Sequence, residues 1–382
     1  MWPSSWMNPE LQTFREQVRR FVAAELTPHQ ERFAQQQHVD RPIWNRAGEL
    51  GILCADIPAE YGGSGGTFAH QAILFEEQAY AGDSAMNVSV HIILAHYILN
   101  QGTAAQKAKF LPKMATGELI GAIAMSEPGA GSDLQGVRTT ARLEGDHYVV
   151  NGSKTFISNG YLADLMVVVC RTSDVPGSKG ISLLLVETKE APGFRVGKKL
   201  HKLGQKGNDT CELFFEDVKV PKENLLGEVE GRGFAQLMTE LPYERLIIGV
   251  YAVAAIERAV KLTVDYTRER KAFGKPLMDL QNTRFKLAEA KTHAVVARTF
   301  LDKCIEELLA GRLDTVTASM AKYWTTDLQC QVIDECLQLF GGYGYTVEYP
   351  IAQMWADARV QRIYGGANEI MKELIARSLT SG

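Results

Sequence analysis

Residues Ala124 to Gly136 read A-M-S-E-P-G-A-G-S-D-L-Q-G. Two serines, Ser126 and Ser132, two acids, Glu127 and Asp133, and the glycines at 129, 131 and 136 meet within this one stretch. Glycine lets backbone approach a ligand closely and adopt positive φ, and each serine hydroxyl can donate one hydrogen bond while accepting others. Such a segment reads as a ledge for a ligand. A surface turn uses the same residue types, so composition does not separate the two.

Outward from this stretch the pattern changes on both sides. Upstream, apolar residues recur at helical spacing, as in Leu11, Phe14, Val18, Phe21 and Val22, and again from Ala72 to Leu99. Pro58, the glycines at 62, 63, 65 and 66, and Pro112 are expected to fall in loops or at helix ends. Downstream, Tyr148–Val150, Leu165–Cys170, Ile181–Val186 and Cys211–Phe215 are short β-branched or aromatic runs between turn residues. Helical spacing resumes at Phe234 and continues through Val250–Tyr266, Leu280–Leu309, Thr315–Leu339 and Glu369–Leu379. The 382 residues exceed what one core usually holds. The expectation is an α+β multidomain chain with an α-helical domain over 1–120, a β domain over 121–230 and an α-helical domain over 231–382.

A formal charge of −4 with dispersed lysine and arginine gives no basic stripe for a phosphate backbone, so nucleic acid is not an expected partner. The six cysteines form no C-x-x-C pair and lie at no zinc-ligand spacing, so no metal is expected. They read as reduced thiols in a cytosol-like compartment. The first residues lack the apolar stretch of a signal peptide, so export is not expected. No apolar run approaches the roughly 20 residues that a membrane-spanning helix needs.

Gly62-Gly63-Ser64-Gly65-Gly66 contains G-x-S-x-G but follows Ile57-Pro58-Ala59-Glu60-Tyr61 rather than a strand, so it reads as a loop and not a nucleophile elbow. Neither a dinucleotide-binding glycine motif after a strand nor a P-loop occurs. Glu240-Leu241-Pro242-Tyr243-Glu244-Arg245 precedes Leu246–Ile256, a run without one charge. A helix apolar on every face is buried all round. A carboxylate at its mouth is either a solvated cap paired with Arg245 or a desolvated base with a raised pKa, and residue chemistry alone leans to the cap. Pro242 is expected to interrupt the helix between Glu240 and Glu244.

The order of residues from Ala124 to Gly136 resembles the first signature of the acyl-CoA dehydrogenase flavoenzymes. Gln338–Tyr345, on through Glu348 and Asp357, resembles the second, although Gln353 stands where a basic residue is usual. This resemblance implies an N-terminal α-helical domain, a β-barrel-like middle domain and a C-terminal four-helix bundle, assembled as a homotetramer, a dimer of dimers. It implies FAD as cofactor. Ile123, Met125, Ser126, Gly131 and Ser132 would meet it from the first signature, and Phe156, Ile157 and Ser158 from the flavin ring's side. Arg270 and Phe273 would reach the FAD of a neighbouring subunit, with Gln281 and Gln338 nearby, and Gly341, Gly342, Ala367 and Glu369 would also meet the cofactor. Ala367 replaces the usual threonine. Ser132, Tyr243, Glu244, Arg245, Gly365 and Gly366 would face the acyl-CoA.

Members of this family carry their base either in a C-terminal Y-E-G-T segment or on the helix, in an E-R context. Here the C-terminal segment reads Tyr364-Gly365-Gly366-Ala367, so resemblance assigns the role to Glu244, as in the long-chain and isovaleryl branches. Glu244 would take the α proton while the β hydrogen leaves as hydride to flavin N5, giving trans-2-enoyl-CoA. The Gly365 N–H would polarise the thioester carbonyl, and the missing side chain there is expected to leave room for long or branched acyl groups. Electron-transferring flavoprotein is the implied acceptor. The location expected is bacterial cytoplasm, or the mitochondrial matrix in a eukaryote. The rivals are an oxygen-using oxidase on the same fold and a non-catalytic relative that binds DNA or a protein.

Overall fold

The computed structural model describes residues 3–380; residues 1–2 and 381–382, the outer ends of the first and third segments, lie outside the described residues. Six α-helices come first: α1 (Pro9–Phe21), α2 (Gln30–Gln36), α3 (Arg41–Glu49), α4 (Phe68–Ala81), α5 (Val88–Gln101) and α6 (Ala104–Ala115). Seven strands follow, β1 (Gly121–Ala124), β2 (Thr140–Glu144), β3 (His147–Ser158), β4 (Leu165–Arg171), β5 (Ile181–Glu187), β6 (Phe194–Lys199) and β7 (Thr210–Pro221). The remainder is helical: α7 (Gly233–Glu269), α8 (Gln281–Leu309), α9 (Thr315–Phe340), α10 (Pro350–Ala358) and α11 (Asn368–Thr380), with a two-stranded hairpin, β8 (Lys271–Ala272) and β9 (Lys275–Pro276), between α7 and α8. The chain is α+β. No helix among the described residues is long and apolar enough to cross a membrane.

The strands form one sheet in the order β1-β4-β2-β3-β7-β6, with β5 on the other side of β4. The path does not close on itself, so the sheet is curled rather than a complete barrel. Because alternate side chains leave a strand on opposite faces, β4 serves two cores. Leu165, Val167 and Val169 join the helices, while Met166, Val168 and Cys170 pack with Tyr148, Val150, Leu213 and Phe215. That is why Leu165–Cys170 is apolar without alternation.

Two prolines behave differently from the expectation. Pro112 lies inside α6, and Pro242 lies inside α7, which runs unbroken over 37 residues. A helical proline removes one N–H and frees the carbonyl four residues earlier. Those carbonyls belong to Ala108 and Met238, both exposed, so water can take the lost bond. Strands β1, β2 and β6 and helix α10 carried no strong periodicity and were not expected.

Candidate active site

The 124–136 stretch leaves β1 and turns across the edge of the sheet. Glu127, buried, is the anchor: it accepts from the backbone N–H groups of Arg138 (2.6 Å) and Thr139 (3.0 Å) and from Lys154 Nζ (2.9 Å). Lys154, equally buried, also donates to the carbonyls of Met125 (3.0 Å) and Val169 (2.6 Å). A buried lysine pays its desolvation only if all three protons are used, and here they are. This pair fixes the loop to β3, with Thr155 N donating to Ser126 O at 2.9 Å. Ser126 and Ser158 are half-buried, while Gly131 and Ser132 are exposed.

Phe156 stands beside them as an outlier. It sits at a register shift between Lys154 and Ile157, holds φ +58° and is 70 % exposed. Positive φ at a bulky residue costs of order 1–3 kcal/mol and persists where surrounding structure imposes it. The product is an aromatic face turned outward next to two hydroxyls. A flat ring with polar edges fits that platform, so these residues suit FAD.

Across from β1, helices α5 and α7 hold the carboxylates. Since α7 does not break at Pro242, Glu240 and Glu244 occupy one face, a turn apart. Both are buried. Tyr97 of α5 donates to Glu244 Oε1 at 2.7 Å, while Asn100 and Gln101 donate to Glu240 at 2.9 and 3.2 Å. Glu244 is therefore no solvated cap: it is 8 % exposed, and Arg245 turns away to Ser319 Oγ at 3.0 Å. Burial, with help from the Glu240 charge and against the Tyr97 hydrogen bond and Arg245, pushes the Glu244 carboxyl up to about 7. Burial likewise raises Glu240 against its amide partners.

Tyr243, half-buried, also ties α7 to the N-terminal segment. Its hydroxyl donates to buried Asp56 at 2.8 Å and its ring lies 4.1 Å from that of His96, so its polar end is already spent inside the N-terminal helices. Arg245, by contrast, keeps an unsatisfied buried Nε. A buried charged donor without a partner is costly, and a ligand on the acyl-CoA side would supply one.

Gly365 and Gly366 adopt φ +63° and +91°. Lys322 of α9, fully buried, donates to Gly366 O at 2.7 Å and to Asn368 Oδ1 at 2.8 Å, fixing the turn that leads into α11. Burial and the neighbouring Arg245 push the Lys322 ammonium down to about 7. The space beside residue 365 is bordered by the tip of Ile248. A Cβ at that position would stand 2.3 Å from Cδ1 of Ile248, the residue one turn beyond Glu244. Because φ +63° strains any side chain there and Ile248 must also turn aside, combining Glu244→Gly with Gly365→Glu to move the carboxylate is expected to give no measurable turnover. Adding Ile248→Ala should recover some, and turnover by the first pair alone in a steady-state assay would show that the segment yields.

The remaining candidates lie apart from this centre. Arg270 follows α7, its guanidinium 5.3 Å from the ring of Tyr343 in the glycine turn that holds Gly341 and Gly342 after α9. Phe273 and Gly274, at φ +52° and +78°, form the two-residue tip of the β8–β9 hairpin, and Phe273 is 91 % exposed. A phenylalanine in such a tip is strained, since Asn or Gly is favoured there. Gln281 and Gln338 are exposed, as is Glu369 in the first turn of α11; Ala367 is half-buried. Sequence reasoning missed Tyr97, Asn100, Gln101, Asp56, His96 and Lys322. None lies in a motif; Asp56 sits in a turn before α4, and the helical spacing of the others reads as core. No group of three or more His, Cys, Asp or Glu among the described residues could hold a metal, and all six cysteines are free thiols.

Residues 8–118, 122–218 and 231–380 match, in turn, the N-terminal, middle and C-terminal domains of the acyl-CoA dehydrogenase family. The chain is 51 % identical over 371 residues to long-chain specific acyl-CoA dehydrogenase, mitochondrial, of Mus musculus, covering 96 % of this chain and 86 % of that protein. It is similar to the crystal structure of acyl-CoA dehydrogenase from Geobacillus kaustophilus, with TM-score 0.96 and 46 % identity over 99 % of this chain and 100 % of the other. An acyl-CoA dehydrogenase of Bacillus anthracis complexed with FAD is similar at TM-score 0.92 and 31 % identity, over 99 % of this chain and 68 % of that one. The chain belongs to the acyl-CoA dehydrogenase family. Its class is that of FAD-dependent oxidoreductases acting on acyl-CoA thioesters in fatty acid β-oxidation.

Proposed function

We propose that this protein dehydrogenates long-chain acyl-CoA to trans-2-enoyl-CoA with Glu244 as the base. The observation that carries the reading is a buried carboxylate held by one hydroxyl, close to a C-terminal turn that has glycine at 365. A base works best with a pKa near the working pH and must reach its proton directly. Glu244 meets the first condition, and its burial excludes competing water. Bound FAD supplies the hydride acceptor. Ser126, Phe156, Ile157 and Ser158 orient that ring, Arg245 and Ser132 hold the CoA side, and the Gly365 N–H, fixed through Lys322 and Gly366, faces the thioester carbonyl.

The similarity to a long-chain specific enzyme over nearly the whole chain supports a long acyl group, with branched acyl-CoA as the second choice. Exposed Phe273, Tyr345 and Val347, with exposed Arg270 in the same hairpin region as Phe273, support a homotetramer in which one subunit completes the cofactor site of another, since the three apolar groups have no core of their own to join. Electron-transferring flavoprotein is the acceptor that fits this reading.

Anaerobic mixing of FAD-loaded protein with a panel of straight and 3-methyl acyl-CoAs tests it. Flavin bleaching with enoyl-CoA formation, fastest for long straight chains, is the expected result. No bleaching with any thioester removes the reading, and rapid reoxidation in air with product bound favours the oxidase instead.

A further inference from the structure

Glu240 and Glu244 face helix α5 from successive turns of α7, and neither forms an ion pair among the described residues. The groups around them come from four elements. From α5, Tyr97 donates to Glu244 and His96 lies next to Glu240; His96 pairs with Asp56, of the segment before α4, at 2.9 Å. From α7 itself, Arg245 lends positive charge to Glu244 but is turned to Ser319 of α9, while His96, raised by Asp56 against its burial, lends positive charge to Glu240. Lys322, also on α9, faces Arg245 and spends its hydrogen bonds on Gly366 and Asn368. The base candidate thus has one direct donor and one like-charged neighbour.

We propose that Tyr97 and Glu240 are positioning residues that set the proton affinity of Glu244 in opposite senses. The Tyr97 hydroxyl, at 2.7 Å, stabilises the ionised carboxylate and fixes its rotamer; the Glu240 carboxylate, one turn away in the same water-poor seam, favours the protonated form. The inference rests on Glu244 being the base. A donor to the charged form lowers a carboxylate pKa and a like charge raises it. Burial and the two carboxylates keep the Tyr97 hydroxyl protonated far above neutrality, so it remains a donor throughout. Asn100 and Gln101 hold Glu240 in place with amide donors, which satisfy its oxygens without cancelling its charge. A base needs both influences: it must be ionised when substrate arrives, yet hold the proton it has taken.

The test is the pH dependence of kcat/KM for FAD-loaded wild type, Tyr97→Phe and Glu240→Gln with one long-chain acyl-CoA, and Glu244→Gln as control. Glu244 acts ionised, so activity falls as pH drops through its pKa, and the wild-type acid limb should lie near the value of about 7 that burial gives it. Tyr97→Phe should move that limb up by about one pH unit and lower kcat more than it raises KM. Glu240→Gln should move it down by up to about one unit. Opposite displacements are not what loosened packing produces. Limbs that stay in place, or move in one direction for both variants, overturn the proposal. Should Tyr97→Phe fail to retain FAD, Glu240→Gln decides alone, and a limb that stays or rises is the adverse result. A Glu244→Gln protein with wild-type turnover overturns the base assignment itself, whereas an inactive one with unmoved limbs overturns only the roles of Tyr97 and Glu240.

Discussion

Glu244→Gln is expected to leave a folded, FAD-binding protein whose turnover falls by roughly three to four orders of magnitude, the upper range for a general base. The substitution keeps the shape, and the amide oxygen can still accept from Tyr97. What it removes is the capacity to take a proton. Stability should not suffer, because no ion pair is broken among the described residues and a buried charge, costly in itself, is lost. Steady-state turnover read beside the flavin spectrum checks both halves. Activity within about tenfold of wild type would take Glu244 out of the reaction and leave the seam between α5 and α7 as a purely structural feature.

Arg298→Met is expected to be the most destabilising single change in the helical part, by about 3–5 kcal/mol. Arg298 of α8 is 5 % exposed and binds Glu257 of α7 through two hydrogen bonds of 2.9 and 2.8 Å, while its other nitrogen meets Glu76 of α4. Glu76 is in turn held by Arg15 of α1 at 2.6 Å. Removing the guanidinium leaves buried Glu76 with Arg15 alone and half-buried Glu257 with only the Tyr80 hydroxyl, where the first and last helical segments meet. Most of the penalty comes from leaving these two carboxylates with half their compensation, so adding Glu257→Gln, which removes the charge that then has no cation, should restore part of the loss. Urea unfolding of the FAD-loaded protein measures this. An unchanged midpoint in the single variant would show that the network contributes nothing.

The parts of the site visible in the sequence were those in which one residue type is compelled by local geometry or by motif order. The glycines and serines from 124 to 136, the charge-free run after Arg245 and the absence of an acid at 365 are of this kind. Where the text of the chain misled, a second element had intervened. Pro242 reads as a helix break because a proline removes a hydrogen bond, yet the carbonyl it frees is at an exposed turn and packing on both flanks carries α7 through. Gly365 reads as vacant space, and the tip of Ile248, from another helix, borders it.

The sequence by itself determined the order helix, sheet, helix, the family, and the short list of groups able to accept a proton, because periodicity and motif order are properties of contiguous residues. Residue chemistry, apart from the family resemblance, left Glu244 between a solvated cap and a buried carboxylate, since burial is a relation between distant segments. Only the tertiary structure decided that. It laid α5 against α7, excluded water from the seam, and put Tyr97, rather than the adjacent Arg245, on the carboxylate. Desolvation by that packing is what raises the Glu244 carboxyl to about 7, and no stretch of sequence contains it.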